Sequence, residues 1–230
     1  FINFSMVEYW QKIIFNSWNA YKQHFAMLFG AYLIIHIFLT YPQFVVTTIT
    51  LNDDLSNFTE FAAPSNIILL FAILFLSGGV WLGGLFLSYC ALNNKPVIFK
   101  TLFQQFYLLP RLAVKYLVSS ILGTLIFMLI KNIILSILLF FTIYTALFFF
   151  YDYLILIRKL NFMDAIKTNF YLVSENIGKV IQYGCLYFII GLIFILLPIV
   201  GPMLAQSFLM VVGVSFFLDI IKQKRVEEPE

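Results

Sequence analysis

Apolar and polar stretches alternate along this chain, and the apolar ones share a telling length. Crossing about 30 Å of hydrocarbon takes about 20 residues at 1.5 Å rise each. Six runs come close to it: 25–46, 67–92, 113–130, 133–157, 181–197 and 203–221. The pattern predicts an all-α polytopic membrane protein, one integral domain over 1–230 with six transmembrane helices. Lys131-Asn132 splits an apolar run too long for one helix. A lysine at the bilayer centre costs several kcal/mol, so the pair reads as a tight hairpin turn. Pro198-Ile-Val-Gly-Pro202 reads as a second turn, between the last two spans.

The polar segments between spans have their own periodicity. In 161–179, Phe162, Ile166, Phe170, Val173 and Ile177 recur at helical spacing. Asn161 with Asp164 resembles a capping box, with Asp in place of Glu or Gln. This predicts an amphipathic helix lying in the membrane interface. Segment 94–111 resembles it: Phe106-Tyr-Leu-Leu109 and Phe170-Tyr-Leu-Val173 stand 64 residues apart, as do Lys115 and Lys179. Residues 7–24 have the same character, with Ile14, Trp18 and Tyr21 on one face. Three pseudo-repeats follow, each an interfacial helix and a transmembrane hairpin.

Charge sets the orientation. Of 14 Lys and Arg residues, all but Lys131 fall on one side of the six predicted spans, while the first loop on the other side holds Asp53, Asp54 and Glu60. The positive-inside rule puts both termini in the cytoplasm. The interfacial helices then lie on the cytoplasmic side, and Lys100, Arg111, Lys115, Arg158, Lys159, Lys167 and Lys179 are expected to contact inner-leaflet headgroups. Trp10, Trp18, Tyr151 and Tyr153 are expected to form aromatic belts. Composition agrees with lipid as the solvent: 62% of residues are hydrophobic and 11% charged, where a soluble domain has about 25% charged. The net charge of +3 comes without a dense basic cluster, which argues against nucleic acid. The first apolar run is too long for the core of a signal peptide.

Candidate chemistry is sparse. Gly79 and Gly83 form a GxxxG pair, a flat strip for close helix packing within the chain or against another membrane protein. Ionisable groups within spans are functional candidates, which singles out Asp152, Asp219 and His36 as a polar site. Cys90 and Cys185 fit apolar packing and form no metal spacing. No enzyme motif is present, so no catalytic, cofactor-binding or metal residue is expected.

Two stretches, GGVWLGGLFLSYCALNNKPVIFKTLFQQFYLLPRL from Gly78 and FFFYDYLILIRKLNFMDAIKTNFYLVSENIGK from Phe148, resemble the YciC-like family of uncharacterised bacterial inner-membrane proteins. The resemblance implies a multi-pass inner-membrane protein tied to envelope upkeep, and supplies no catalytic residue. The combined expectation is a non-enzymatic accessory or scaffold protein in envelope or lipid homeostasis, with membrane lipids as partners. The alternative is a small transporter or lipid-moving protein with a site at the inner mouth of the bundle.

Overall fold

A computed structural model describes residues 4–37, 64–130, 132–194 and 200–227. The far half of the first expected span, the loop after it, Lys131 and residues 195–199 lie outside the described residues. All secondary structure described is helical. The order is α1 (Phe4–Gln23), α2 (Phe25–Ile37), α3 (Pro64–Leu92), a 3-10 helix η1 (Phe99–Leu108), α4 (Leu109–Leu129), α5 (Ile133–Phe148), α6 (Tyr151–Ile157), α7 (Phe162–Glu175), α8 (Ile177–Phe194) and α9 (Val200–Glu227).

Four helical stretches among the described residues are long and apolar enough to cross a membrane: Phe99–Leu129, Ile133–Ile157, Ile177–Phe194 and Val200–Gln223. Phe25–Ile37 and Leu76–Leu92 are apolar but shorter. The outward faces suit lipid: Leu129, Met128 and Ile134 are largely exposed apolar side chains. One helix ends at Leu129 and the next begins at Ile133, so the break between them falls where expected. Asn132 caps α5 by accepting from the amides of Ile134 and Leu135. Phe140 packs beside Gly123, as antiparallel packing of α4 and α5 requires.

The central element is α9, whose apolar stretch is mostly buried, whereas that of α8 is almost wholly exposed. Phe216 and Phe217 of α9 anchor an aromatic core with Phe150, Tyr153, Tyr183 and Trp10. This corrects the aromatic-belt assignment for three residues. Tyr151 is fully buried, Tyr153 stacks on Phe217, and Trp10 donates to Gln182 while packing on Phe216. Trp18 remains on an exposed face.

Two segments expected to lie flat in the interface do something else. Helix α1 runs antiparallel along α9. Trp10 meets Phe216 at one end, and the Tyr21 and Ser207 hydroxyls share a 2.6 Å hydrogen bond at the other, about 15 Å along the axis. Segment η1 folds back along α3. A Cβ on Gly83 would lie 1.8 Å from the Leu102 carbonyl oxygen, and one on Gly79 would lie 3.0 Å from the Phe106 ring. Only a strip without side chains admits the segment that closely. The buried residues of η1 are Leu102, Gln105 and Leu108, spaced by three because side chains eclipse every third residue in a 3-10 helix. Thus η1 of the same chain covers the Gly79–Gly83 strip.

Helix α7 forms with the expected Asn161 cap. The Asn161 side chain accepts from the Asp164 amide and donates to the Asp164 carboxylate. The return bond reaches the cap's side chain, whereas in a capping box it reaches the cap's backbone amide. Its buried face is rotated from the expected one: Val173 is buried and Phe162 and Ile166 pack against the core as expected, but Ala165, Asn169 and Leu172 are buried beside them, while Phe170 and Ile177 are exposed. The rotation follows from Asn169. Its amide enters the break between α5 and α6, accepting from the Phe150 N–H and donating to the Ala146 carbonyl. Residues 146 and 150 would be bonded to each other in an unbroken helix, so Asn169 replaces one rung of the ladder.

Candidate functional site

The break sets the start of α6, and Asp152 lies in its first turn. Its carboxylate receives the Lys115 ammonium from α4, with Nζ 2.8 Å from Oδ1 and 2.9 Å from Oδ2. Trp81 of α3 donates its indole N–H to Oδ2 at 3.2 Å. The Lys115 and Asp152 side chains are 5% and 15% exposed, so this is a buried pair. Three rings complete the surroundings of the ammonium: Tyr144 and Tyr151 at 5.7 Å and Tyr116 at 6.0 Å to the ring centroids. Rings at this range face the cation with their negative quadrupole. A buried charge is tolerable when it is paired and hydrogen-bonded, and here both carboxylate oxygens and the ammonium have partners.

Neighbouring bonds hold the cluster in place. The Tyr151 hydroxyl donates to the Arg111 carbonyl at 3.0 Å. The Arg111 guanidinium donates to the carbonyls of Lys159 and Leu160, just past the end of α6. Lys159 has a left-handed backbone, φ 57°, which turns the chain from α6 toward α7. Chemically, the arrangement fastens α3, α4 and α6 together. Lys115 and Asp152 line none of the three surface clefts at Asn16, Gln182 and Phe15.

The other predicted polar residues lie elsewhere. Asp219 on α9 accepts from Gln223 at 2.7 Å, and Gln223 accepts from Lys179 at 2.7 Å. Lys179 also sits over the Tyr9 ring at 5.0 Å. The Tyr9 hydroxyl is buried without a hydrogen-bond partner among the described residues. Burial, and then the Asp219 carboxylate, push its pKa above the ordinary phenol range. His36 on α2 is half-buried, with its ring stacked on Tyr32 at 6.2 Å. Asp152 and Asp219 therefore have separate sets of partners.

The expected headgroup contacts divide. Lys100, Arg158, Lys159 and Lys167 are exposed. Lys115 is buried against Asp152, Arg111 is spent on backbone carbonyls, and Lys179 is engaged with Gln223 and Tyr9. Lys115 thus leaves the headgroup set, because its ammonium points into the bundle. Trp81, Tyr144 and Asn169 entered no sequence-based site. The signal for Lys115 was available: both it and Asp152 fall within expected spans, where opposite charges seek each other.

A second polar region opens between α1, the end of α3 and α9. It is a cleft of about 360 Å³ that includes Lys12, Asn16, Ser215, Asp219 and Lys222. A second cleft, about 450 Å³, lies beside Tyr9, Lys179 and Gln182. A third, about 650 Å³, runs over the outward face of α1 at Phe15 and Trp18.

Comparison with protein-family models, with curated proteins and with solved structures gave no match to this chain.

Proposed function

We propose that this is a non-enzymatic multi-pass protein of the bacterial inner membrane, an accessory or scaffold component in envelope or lipid homeostasis. Both termini are cytoplasmic, and the chain is related to the YciC-like family. The observation that carries this reading is the closed Lys115–Asp152–Trp81 cluster. It assigns the buried ion pair of the bundle to holding helices together, which leaves interaction to the surfaces. The exposed Lys100, Arg158, Lys159 and Lys167 support contact with anionic headgroups, at about 1 kcal/mol for each basic residue near the surface. Affinity purification in mild detergent followed by mass spectrometry should return a stoichiometric partner polypeptide. A clean monomer under several extraction conditions contradicts the scaffold role. Orientation has its own test. In a background lacking Cys90 and Cys185, Asp54→Cys should label from outside and Lys167→Cys only after permeabilisation. The reverse pattern overturns the orientation.

The cleft between α1 and α9 favours a second reading, a small transporter or lipid-moving protein with its site at the inner mouth of the bundle. In reconstituted vesicles such a protein moves labelled lipid between leaflets, and Asp219→Asn changes the rate. Vesicles that show no movement above the protein-free rate remove this reading.

A further inference from the structure

Helix α1 carries polar residues where neither the core nor lipid asks for them. Lys12, Asn16, Asn19 and Gln23 stand at helical spacings of four, three and four, forming one polar edge. The buried edge beside it is Ile13, Ser17, Ala20 and Tyr21. On its other side lies an exposed apolar edge, with Phe15 and Trp18 65% and 45% exposed. The polar edge forms one wall of the cleft of about 360 Å³.

The opposite walls are equally polar. Asn93 and Asn94 come from the end of α3. Asn94 holds a left-handed backbone, φ 53°, and the Lys95 amide bonds back to the Cys90 carbonyl at 2.9 Å. This Schellman-type end fixes both asparagines beside α1. From α9 come Ser215, Asp219 and Lys222. Among the described residues, Lys12 and Lys222 have no ion-pair partner, and the carboxamides of Asn16, Asn19 and Gln23 form no hydrogen bond. The cleft thus offers two free ammonium groups and several free amides around one carboxylate already bonded to Gln223.

We propose that this cleft binds the phosphodiester headgroup of a glycerophospholipid, a step that rests on the lipid-associated reading above. Two lysines and amide donors suit a phosphate, by charge-assisted hydrogen bonds. Asp219 in the same cleft disfavours a doubly charged phosphate and so selects the singly charged diester. The adjoining groove supplies the evidence for a lipid. Lys12 belongs both to the polar cleft and to the groove over Ile14, Phe15 and Trp18, whose rim also carries Glu8 and Gln11. A headgroup held at Lys12 thus has its acyl chain at the edge of a groove of about 650 Å³ in which Ile14, Phe15 and Trp18 are the apolar lining.

Native mass spectrometry of the full-length protein in mild detergent, titrated with phosphatidylglycerol, tests this. The wild type should retain one lipid, and Lys12→Gln/Lys222→Gln should weaken binding about tenfold or more. Lys22→Gln removes a charge from the exposed side of the same helix and should leave binding unchanged. Inorganic phosphate should bind at least about tenfold more weakly than the lipid. Equal lipid retention by the double variant overturns the site, as does an equal loss in Lys22→Gln, which would show general surface attraction. Phosphate binding as tightly as lipid overturns the lipid assignment. If the double variant is not monodisperse, Asn16→Ala/Asn19→Ala takes its place with the same expected weakening. These results are independent of partner recovery, so a failure here is distinguishable from failure of the scaffold role.

Discussion

Two regions of this molecule each bring lysine and aspartate together, and they do so in opposite ways. At the break between α5 and α6, Lys115 and Asp152 bond each other at 2.8 Å, with Trp81 on the second carboxylate oxygen. Between α1 and α9, Asp219 bonds Gln223 while Lys12 and Lys222 face the same cleft without an anionic partner. The same side-chain chemistry serves a fastening in one place and an open surface in the other. Desolvation makes the difference. A charge removed from water must be matched in full by its neighbours, whereas one at an open cleft keeps its water until a ligand displaces it.

Substitutions can break this contrast, beginning with the fastening. Asp152→Ala leaves the Lys115 ammonium buried and unpaired, and should cost about 3–5 kcal/mol, read as loss of monodisperse protein on heating. Gly83→Ala comes next. Its methyl group would meet the Leu102 carbonyl, a backbone atom that moves only with η1. The expected cost is about 1–3 kcal/mol, as for an overpacked core, measured by the same thermal assay. Asn169→Leu strands the Phe150 N–H and the Ala146 carbonyl, and should destabilise by about 1–3 kcal/mol. Proteolysis near residues 149–150 should rise in that variant and stay at the wild-type rate in Lys167→Ala. The open cleft responds least: Lys222→Gln should change stability by less than about 0.5 kcal/mol, because its ammonium is exposed and unpaired. A large loss there would mean that the cleft is a second fastening, and the contrast would fail.

Four of the six spans were legible, those at 113–130, 133–157, 181–197 and 203–221, because apolar run length is a direct demand of the bilayer. The hairpin at Asn132 was legible because a lysine interrupts an apolar run, and Asn161 because a cap is a local device. What stayed hidden depended on contacts between distant segments. The sequences of 94–111 and 161–179 are alike, yet one is a 3-10 helix pressed on glycines and the other an α-helix that inserts Asn169 into a neighbour. Their difference comes from the surface each meets, a glycine strip or a broken helix. Composition marked Gly79 and Gly83 as a packing strip without naming the occupant. The sequence marks Asp152 as a polar site, while the place of Lys115 at the edge of a predicted span points it toward headgroups, not toward Asp152. The polar edge of α1 was missed for a different reason. Its apolar positions carry the periodic signal, and Lys12, Asn16, Asn19 and Gln23 form a wall only once α9 supplies the facing one.

The central claim is that Lys115 and Asp152 work as a structural pair. A double-mutant cycle on stability, using Lys115→Met, Asp152→Leu and the combined variant in the full-length protein, tests it most directly. The account predicts that each single change destabilises strongly. The double variant should recover most of that loss, since neither charge is left unpaired, with a coupling energy of about 1–3 kcal/mol. Additive losses, or single variants as stable as the wild type, would contradict it.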